Sequence, residues 1–250
     1  FIPLNAPKYF FRSSGVNPGK SALYSFAYHL RTVAAHDLDI SPDELFTGIQ
    51  AMPSAENGNK YTGRIFLADA LENGAGYSTE IAHQKRFNRI LDTLITKGYQ
   101  WTKDPHFSNC DSSCPDCLRD YENKMFHSFL NWKLAVDVSE LASGIDLNTE
   151  RWFKDVETLA RPILENEYIE TTLENIGEMF ALKFNRSTKN PKYLLLSHPL
   201  WPLEQDDYNE IQGEAYMNLS SSAQNESDIG LIDLLTLSID PQSIMTWINR

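Results

Sequence analysis

Cys110-Asp-Ser-Ser-Cys114-Pro-Asp-Cys117 holds all three cysteines of the chain, spaced C-x3-C-x2-C. A disulfide framework spreads its cysteines along the chain. An odd number packed this closely reads as metal ligation in a reducing compartment, and so as a cytoplasmic protein. Cys-x-x-Cys lets two sulfurs reach one ion from a tight turn, and Pro115 stiffens that turn. Structural zinc takes four thiolate or imidazole ligands in a tetrahedron, so three cysteines leave one place open. His127 is the preferred fourth ligand: it stands two turns into a helix expected over Leu118 to Ala142, which would return its imidazole to the loop. His106, four residues before Cys110, is its rival. A thiolate-rich site points to a structural ion. Glu122 is close, but no His-x-Glu upstream completes a deaminase-type pattern.

Outward from the cluster, helical and strand patterns interleave. Leu23, Phe26, Ala27, Leu30 and Ala34 recur at helical spacing and predict a helix over Ser21 to His36. Leu45 to Met52 and Arg64 to Leu67 read as strands, paired as a hairpin across the turn-rich stretch between them. Ser78 offers an N-cap for a helix over Thr79 to Thr96, ended by Gly98. Beyond the cysteines, the pattern predicts helices over Leu118 to Ala142 and Asn148 to Leu164. Three strands follow, over Tyr168 to Thr171, Glu178 to Phe184 and Lys192 to Leu196. An acidic helix over Leu203 to Leu219, a polar loop and a short helix after Asp240-Pro241 complete the chain. The fold class is therefore mixed α/β: a mixed sheet flanked by helices, with an inserted zinc-binding loop. The chain divides into an extended segment over 1–19, a zinc-binding region over 20–142 and an acidic α/β region over 143–250.

The 250 residues are 42% hydrophobic and 22% charged, which suits a globular chain with a sizeable core. The net charge of −12 excludes a basic nucleic-acid binder as a description of the whole. Its distribution matters more. Residues 1–139 carry 14 basic and 15 acidic side chains, whereas 140–250 carry 8 and 19. Any nucleic-acid contact belongs to the first part. Apolar runs such as Tyr193 to Leu196 fall far short of the roughly 18 residues needed to span a bilayer, so no membrane partner is expected. The first residues show neither a secretory leader nor an initiator Met, and the chain reads as a piece of a longer or processed protein.

Two further motifs invite a functional reading. Ser14-Gly-Val-Asn-Pro-Gly19-Lys20-Ser21 imitates a phosphate loop, but Ser14 stands where its first glycine belongs. A Pro-Gly turn into a helix explains it better. Asp69, Asn73, Gly74 and Gly76 form a strand-to-helix turn; such a turn can offer backbone N–H groups to phosphate, though a structural turn is the simpler reading. Lys85, Arg86, Arg89, Lys97 and Lys103 face only Asp92 between His83 and Lys103. They could contact phosphates, with Tyr99 and Trp101 stacking on exposed bases; a solvated helix face stands equally. A metal-dependent nuclease or hydrolase would draw on Asp69, Glu72, Glu80 or His198, which share no diagnostic spacing.

Several stretches in order carry a family likeness: Ser21-Ala-Leu-Tyr-Ser25, Leu38-Asp-Ile-Ser-Pro-Asp-Glu-Leu45, Ile65 to Ser78 with its Asn-Gly-Ala-Gly turn, and Cys110 to Asn123. Over about residues 20–142 the chain resembles the helicase-associated zinc-binding domain of MrfA-type DNA-repair helicases. It is more similar still to the DrmB relatives of DISARM anti-phage defence. The resemblance implies zinc on Cys110, Cys114 and Cys117. It also implies an accessory, non-motor role on DNA beside a superfamily 2 helicase. MrfA-type domains carry a fourth cysteine a few residues on; here Tyr121-Glu-Asn123 occupies that place, and His127 is the substitute.

Overall fold

The computed structural model describes residues 17–53, 61–71, 74–186, 189–223 and 225–248. Most of the expected extended segment, the Ser14 end of the phosphate-loop imitation, and both Glu72 and Asn73 lie outside them. The described residues form two compact units, Gly19–Asn148 and Thr149 onward.

The first unit is built on α1 (Pro18–Leu38), with Pro18 inside the first turn, where its missing N–H costs nothing. Leu23, Phe26, Ala27, Leu30 and Ala34 are all buried, as the helical period requires. Strands β1 (Leu45–Pro53) and β2 (Tyr61–Asp69) pair antiparallel from Leu45↔Asp69 to Pro53↔Tyr61, giving the expected hairpin. Strand alternation buries Leu45 and Thr47 and leaves Phe46 between them 58% exposed.

The helix expected over Thr79 to Thr96 is two helices, α2 (Tyr77–Ile81) and α3 (Gln84–Trp101), parted at His83, whose ψ of 124° is extended. Nor does Gly98 end α3. A Cβ there would lie 2.9 Å from Val136 Cγ2, so the glycine serves close packing of α3 on a later helix.

A single turn, α4 (His106–Asn109), precedes the cysteines. The long helix expected from Leu118 shrinks to α5 (Trp132–Ala142). Asp120 and Asn123 exchange backbone-to-side-chain hydrogen bonds of 3.0 and 2.8 Å, and residues 124–129 coil as a 3-10 helix. These local Asx bonds compete with α-helix formation. The Asn131 side chain, accepting from the Lys133 and Leu134 N–H groups, then caps α5.

The second unit has α6 (Glu150–Phe153) and α7 (Val156–Leu164), then β3 (Glu170–Ile176), β4 (Met179–Arg186) and β5 (Lys189–Ser197). After them come α8 (Glu210–Ser220), β6 (Ile229–Asp233), α9 (Leu234–Ile239) and α10 (Gln242–Ile248). The sheet order is β3-β4-β5-β6, with β6 parallel to β5 and the other pairs antiparallel. It is thus a mixed sheet, and the fold is mixed α/β as expected. Buried Gln212 on α8 donates to Ser197 Oγ at 3.1 Å and to the Pro202 carbonyl at 2.7 Å, fixing the crossover helix to the end of β5. Among the described residues no helix is long and apolar enough to cross a membrane.

Candidate metal centre

The loop between α3 and α5 brings four potential ligands together: His106, Cys110, Cys114 and Cys117, all donor atoms within 4.8 Å of one another. Cys110 Sγ and Cys117 Sγ lie 3.9 Å apart, Cys114 Sγ and Cys117 Sγ 3.7 Å, and Cys114 Sγ and His106 Nε2 3.6 Å. With zinc–sulfur bonds of about 2.3 Å and zinc–nitrogen bonds of about 2.0–2.1 Å, a tetrahedron has sulfur–sulfur edges of about 3.8 Å and sulfur–nitrogen edges of about 3.5 Å. These three spacings match those edges, and the donor set fits zinc.

Backbone geometry explains how the loop closes. The Cys114 carbonyl accepts from the N–H groups of Cys117, Leu118 and Arg119 at 3.0–3.1 Å. The Cys114 N–H in turn points at Cys117 Sγ, 3.1 Å away. Helix α4 turns His106 back over the sulfurs, and its Nδ1–H donates to the Trp101 carbonyl at 3.1 Å. That bond fixes the tautomer and leaves Nε2 with its lone pair toward Cys114.

From the other side, Trp132 is fully buried, and its Nε1–H donates to the Cys110 carbonyl at 2.7 Å. The Trp132 backbone N–H donates to the Ser112 carbonyl, also at 2.7 Å. The indole meets the His106 ring edge-on at a centroid distance of 5.4 Å. The loop is therefore tied to the last turn of α3 and the first turn of α5.

The thiols polarise one another. Cys117 is pushed down to about 5, chiefly by the hydrogen bond from Cys110. Cys110 is pushed up, first by that same bond and then by burial, and Cys114 is raised first by burial. A divalent cation held by these residues would supply the charge that keeps all three sulfurs as thiolates.

His127, the preferred fourth ligand by sequence, stands elsewhere. Its Nε2–H lies 3.0 Å from the Asp120 carbonyl and 2.8 Å from Asn123 Oδ1. The expectation rested on a continuous helix from Leu118. The Asx turns replace that helix, and His106 occupies the corner instead.

The basic residues of α3 are unequal. Arg86 Nη1 donates to Asp37 Oδ2 at 2.9 Å, and Arg89 grips Asp37 with two bonds of 2.6 and 2.8 Å. Lys85 and Lys103 are exposed and Lys97 half-buried. Trp101 is not a free stacking platform: it is only 9% exposed, with its ring 4.5 Å from that of His29.

In the glycine turn, the Asp69 carboxylate accepts from the N–H groups of Gly76, Tyr77 and Ser78 at 2.7, 3.1 and 2.7 Å. These bonds, the Ser78 backbone N–H foremost, hold its carboxyl below the usual range. A Cβ at Gly74 would lie 2.4 Å from Asp69, and Gly76 has φ +81°. The N–H groups that phosphate would need already serve Asp69, so the turn is a cap. His198 is fully buried, with Nδ1 accepting from the Leu200 N–H at 3.1 Å.

Comparison with known proteins agrees with the geometry. No solved structure matches the chain. Druantia protein DruE of Escherichia coli (strain UMEA 4076-1) is 32% identical over 126 residues, 49% of this chain but 6% of its own length. The chain thus spans a small part of that relative. Residues 26–118, which include all four clustered ligands and exclude His127, match the family described as MrfA Zn-binding domain.

Proposed function

We propose that this chain is a zinc-stabilised, non-motor accessory module of a DNA-processing complex that contains a superfamily 2 helicase, in DISARM-like anti-phage defence or in DNA repair. The observation that carries the reading is the four-donor cluster, with His106 as fourth ligand. Four protein ligands leave no coordination position for a water nucleophile, so the ion is structural. His106, Cys110, Cys114 and Cys117 would hold zinc, whose charge would neutralise the thiolates and lock the loop. The chain's own residues do the rest: the Trp101 carbonyl orients His106, and Trp132 holds Cys110. The match to the MrfA Zn-binding domain and the likeness to a Druantia protein support this assignment.

DNA contact is assigned to α3 and the turn after it, through Lys85, Arg86, Arg89, Lys97 and, beyond the helix end, Lys103. Asp37 holds two of these guanidiniums but leaves Arg89 exposed at the surface. The test is DNA binding by the assembled complex carrying Lys85→Glu, Arg86→Glu and Arg89→Glu. Affinity should fall and the salt slope flatten, because fewer counterions are released. Unchanged affinity and slope would remove DNA from the assignment and leave the zinc module intact.

A further inference from the structure

A cavity of about 180 Å³ opens on the first unit, between α1, the hairpin and the segment that follows the cysteines. Tyr28, Phe46 and Phe126 give it aromatic walls, and Asp43 and Glu122 put carboxylates at its edge. Both carboxylates are exposed, and among the described residues neither has an ion-pair or hydrogen-bond partner. Arg31 also lines the cavity but is 5% exposed, and its guanidinium is paired with Asp120. The Arg31 Nε–H is buried without an acceptor among the described residues, one donor left over for an incoming group.

Exposed apolar side chains lie on the cavity wall and beside lining residues along the chain. Phe46 is 58% exposed. Leu71, next to lining residue Ala70, is 77% exposed; Tyr121, next to Glu122, 77%; and Met125, next to Phe126, 81%. Four of the largest exposed apolar side chains thus fall at one cavity and its chain neighbours. Aromatic residues and methionine are the types enriched where proteins meet.

We propose that this cavity receives a lysine or arginine side chain of a partner protein. Charge decides the occupant. The one lining cation is already neutralised by Asp120, whereas two lining carboxylates are unpaired, so the site lacks positive charge. The Tyr28 face already carries the Arg31 guanidinium at 5.0 Å, but exposed Phe46 offers an aromatic face to an ammonium or guanidinium group. A main-chain carbonyl of the same segment would satisfy the Arg31 Nε–H. A nucleic-acid strand would bring its phosphates against Asp43 and Glu122. The proposal rests on neither the zinc site nor the DNA reading.

The test is titration of the isotope-labelled, zinc-loaded chain with two acetylated, amidated pentapeptides, Gly-Leu-Arg-Leu-Gly and Gly-Leu-Glu-Leu-Gly, and with dGMP. The arginine peptide should give saturable amide shifts at Thr47, Ala70 and Phe126, weakened by salt. The variant carrying Asp43→Asn and Glu122→Gln should bind it about tenfold more weakly. These substitutions are isosteric and exposed, and unchanged zinc content and amide shifts elsewhere verify the fold. Equal shifts from both peptides, or none up to about 10 mM, would overturn the proposal. Saturable shifts from dGMP in place of the peptide would overturn it too, and would mark a nucleobase pocket.

Discussion

His106 Nε2 lies 3.6 Å from Cys114 Sγ while its Nδ1–H is spent on the Trp101 carbonyl. The imidazole is thereby oriented with Nε2 toward the sulfurs. His106→Ala should therefore lose most bound zinc when the purified protein is dialysed against a moderate chelator. His127→Ala, which removes bonds to Asp120 and Asn123 only, should keep one zinc per chain. Metal analysis of the two variants decides between the histidines; zinc retention by His106→Ala together with loss from His127→Ala would restore the ligand first suggested by spacing.

The buried Trp132 Nε1–H on the Cys110 carbonyl couples the metal loop to α5. Trp132→Phe keeps a ring in place but strands that carbonyl and leaves a small void. The zinc-loaded variant should lose about 2–4 kcal/mol in urea unfolding, one to three of them from the unsatisfied acceptor. Zinc should also dissociate faster, because the loop's anchor to α5 is weakened. A wild-type unfolding midpoint and zinc off-rate would show that the indole merely fills space.

Strong local periodicity made α1 and the β1–β2 hairpin legible in the sequence: each carries its pattern within its own length. The cysteines were legible for the same reason. The fourth ligand was not, because choosing between His106 and His127 needed the course of residues 118–131. There the pattern continued as a helix while Asp120, Asn123 and Asn131 broke it with local hydrogen bonds. Strand β6 escaped notice because five residues, Ile229-Gly-Leu-Ile-Asp233, become a strand only by lying parallel to β5, more than thirty residues away. Trp101 read as a surface aromatic from its charged neighbours, yet at the end of α3 it turns inward onto His29 and His106.

Gly98 tests the packing of α3 on α5. Alanine is the better helix former by about 1 kcal/mol, so an isolated helix would gain from Gly98→Ala. Here the new methyl would stand 2.9 Å from Val136 Cγ2, a stiff, fully buried side chain. Overpacking of about 1–3 kcal/mol should win, leaving a net loss. Val136→Ala in the same chain should recover part of it, and the double-mutant cycle measures the contact. A stabilised Gly98→Ala would show that the two helices part freely.

His29 gives the first unit a distinct acid sensitivity. It is 2% exposed, its Nε2–H donates to the Leu94 carbonyl at 2.9 Å, and burial lowers its pKa to about 4, with Lys97 adding to the effect. The Leu94 bond opposes the shift and is outweighed. In the unfolded chain the same imidazole titrates near its ordinary value of about 6.5. Between those two values the unfolded state binds the extra proton. Stability from the neutral ring is therefore full above about pH 6.5 and falls as pH drops toward 4, at up to about 1.4 kcal/mol per pH unit. His29→Gln keeps an N–H donor for Leu94 and removes the titration. Acid also protonates the zinc-binding thiolates and releases zinc, but it does so equally in both proteins, so the difference between their stability curves isolates His29. That difference should grow steadily from pH 6.5 to 4.5; parallel curves over this range would show that the ring is not held neutral by its burial.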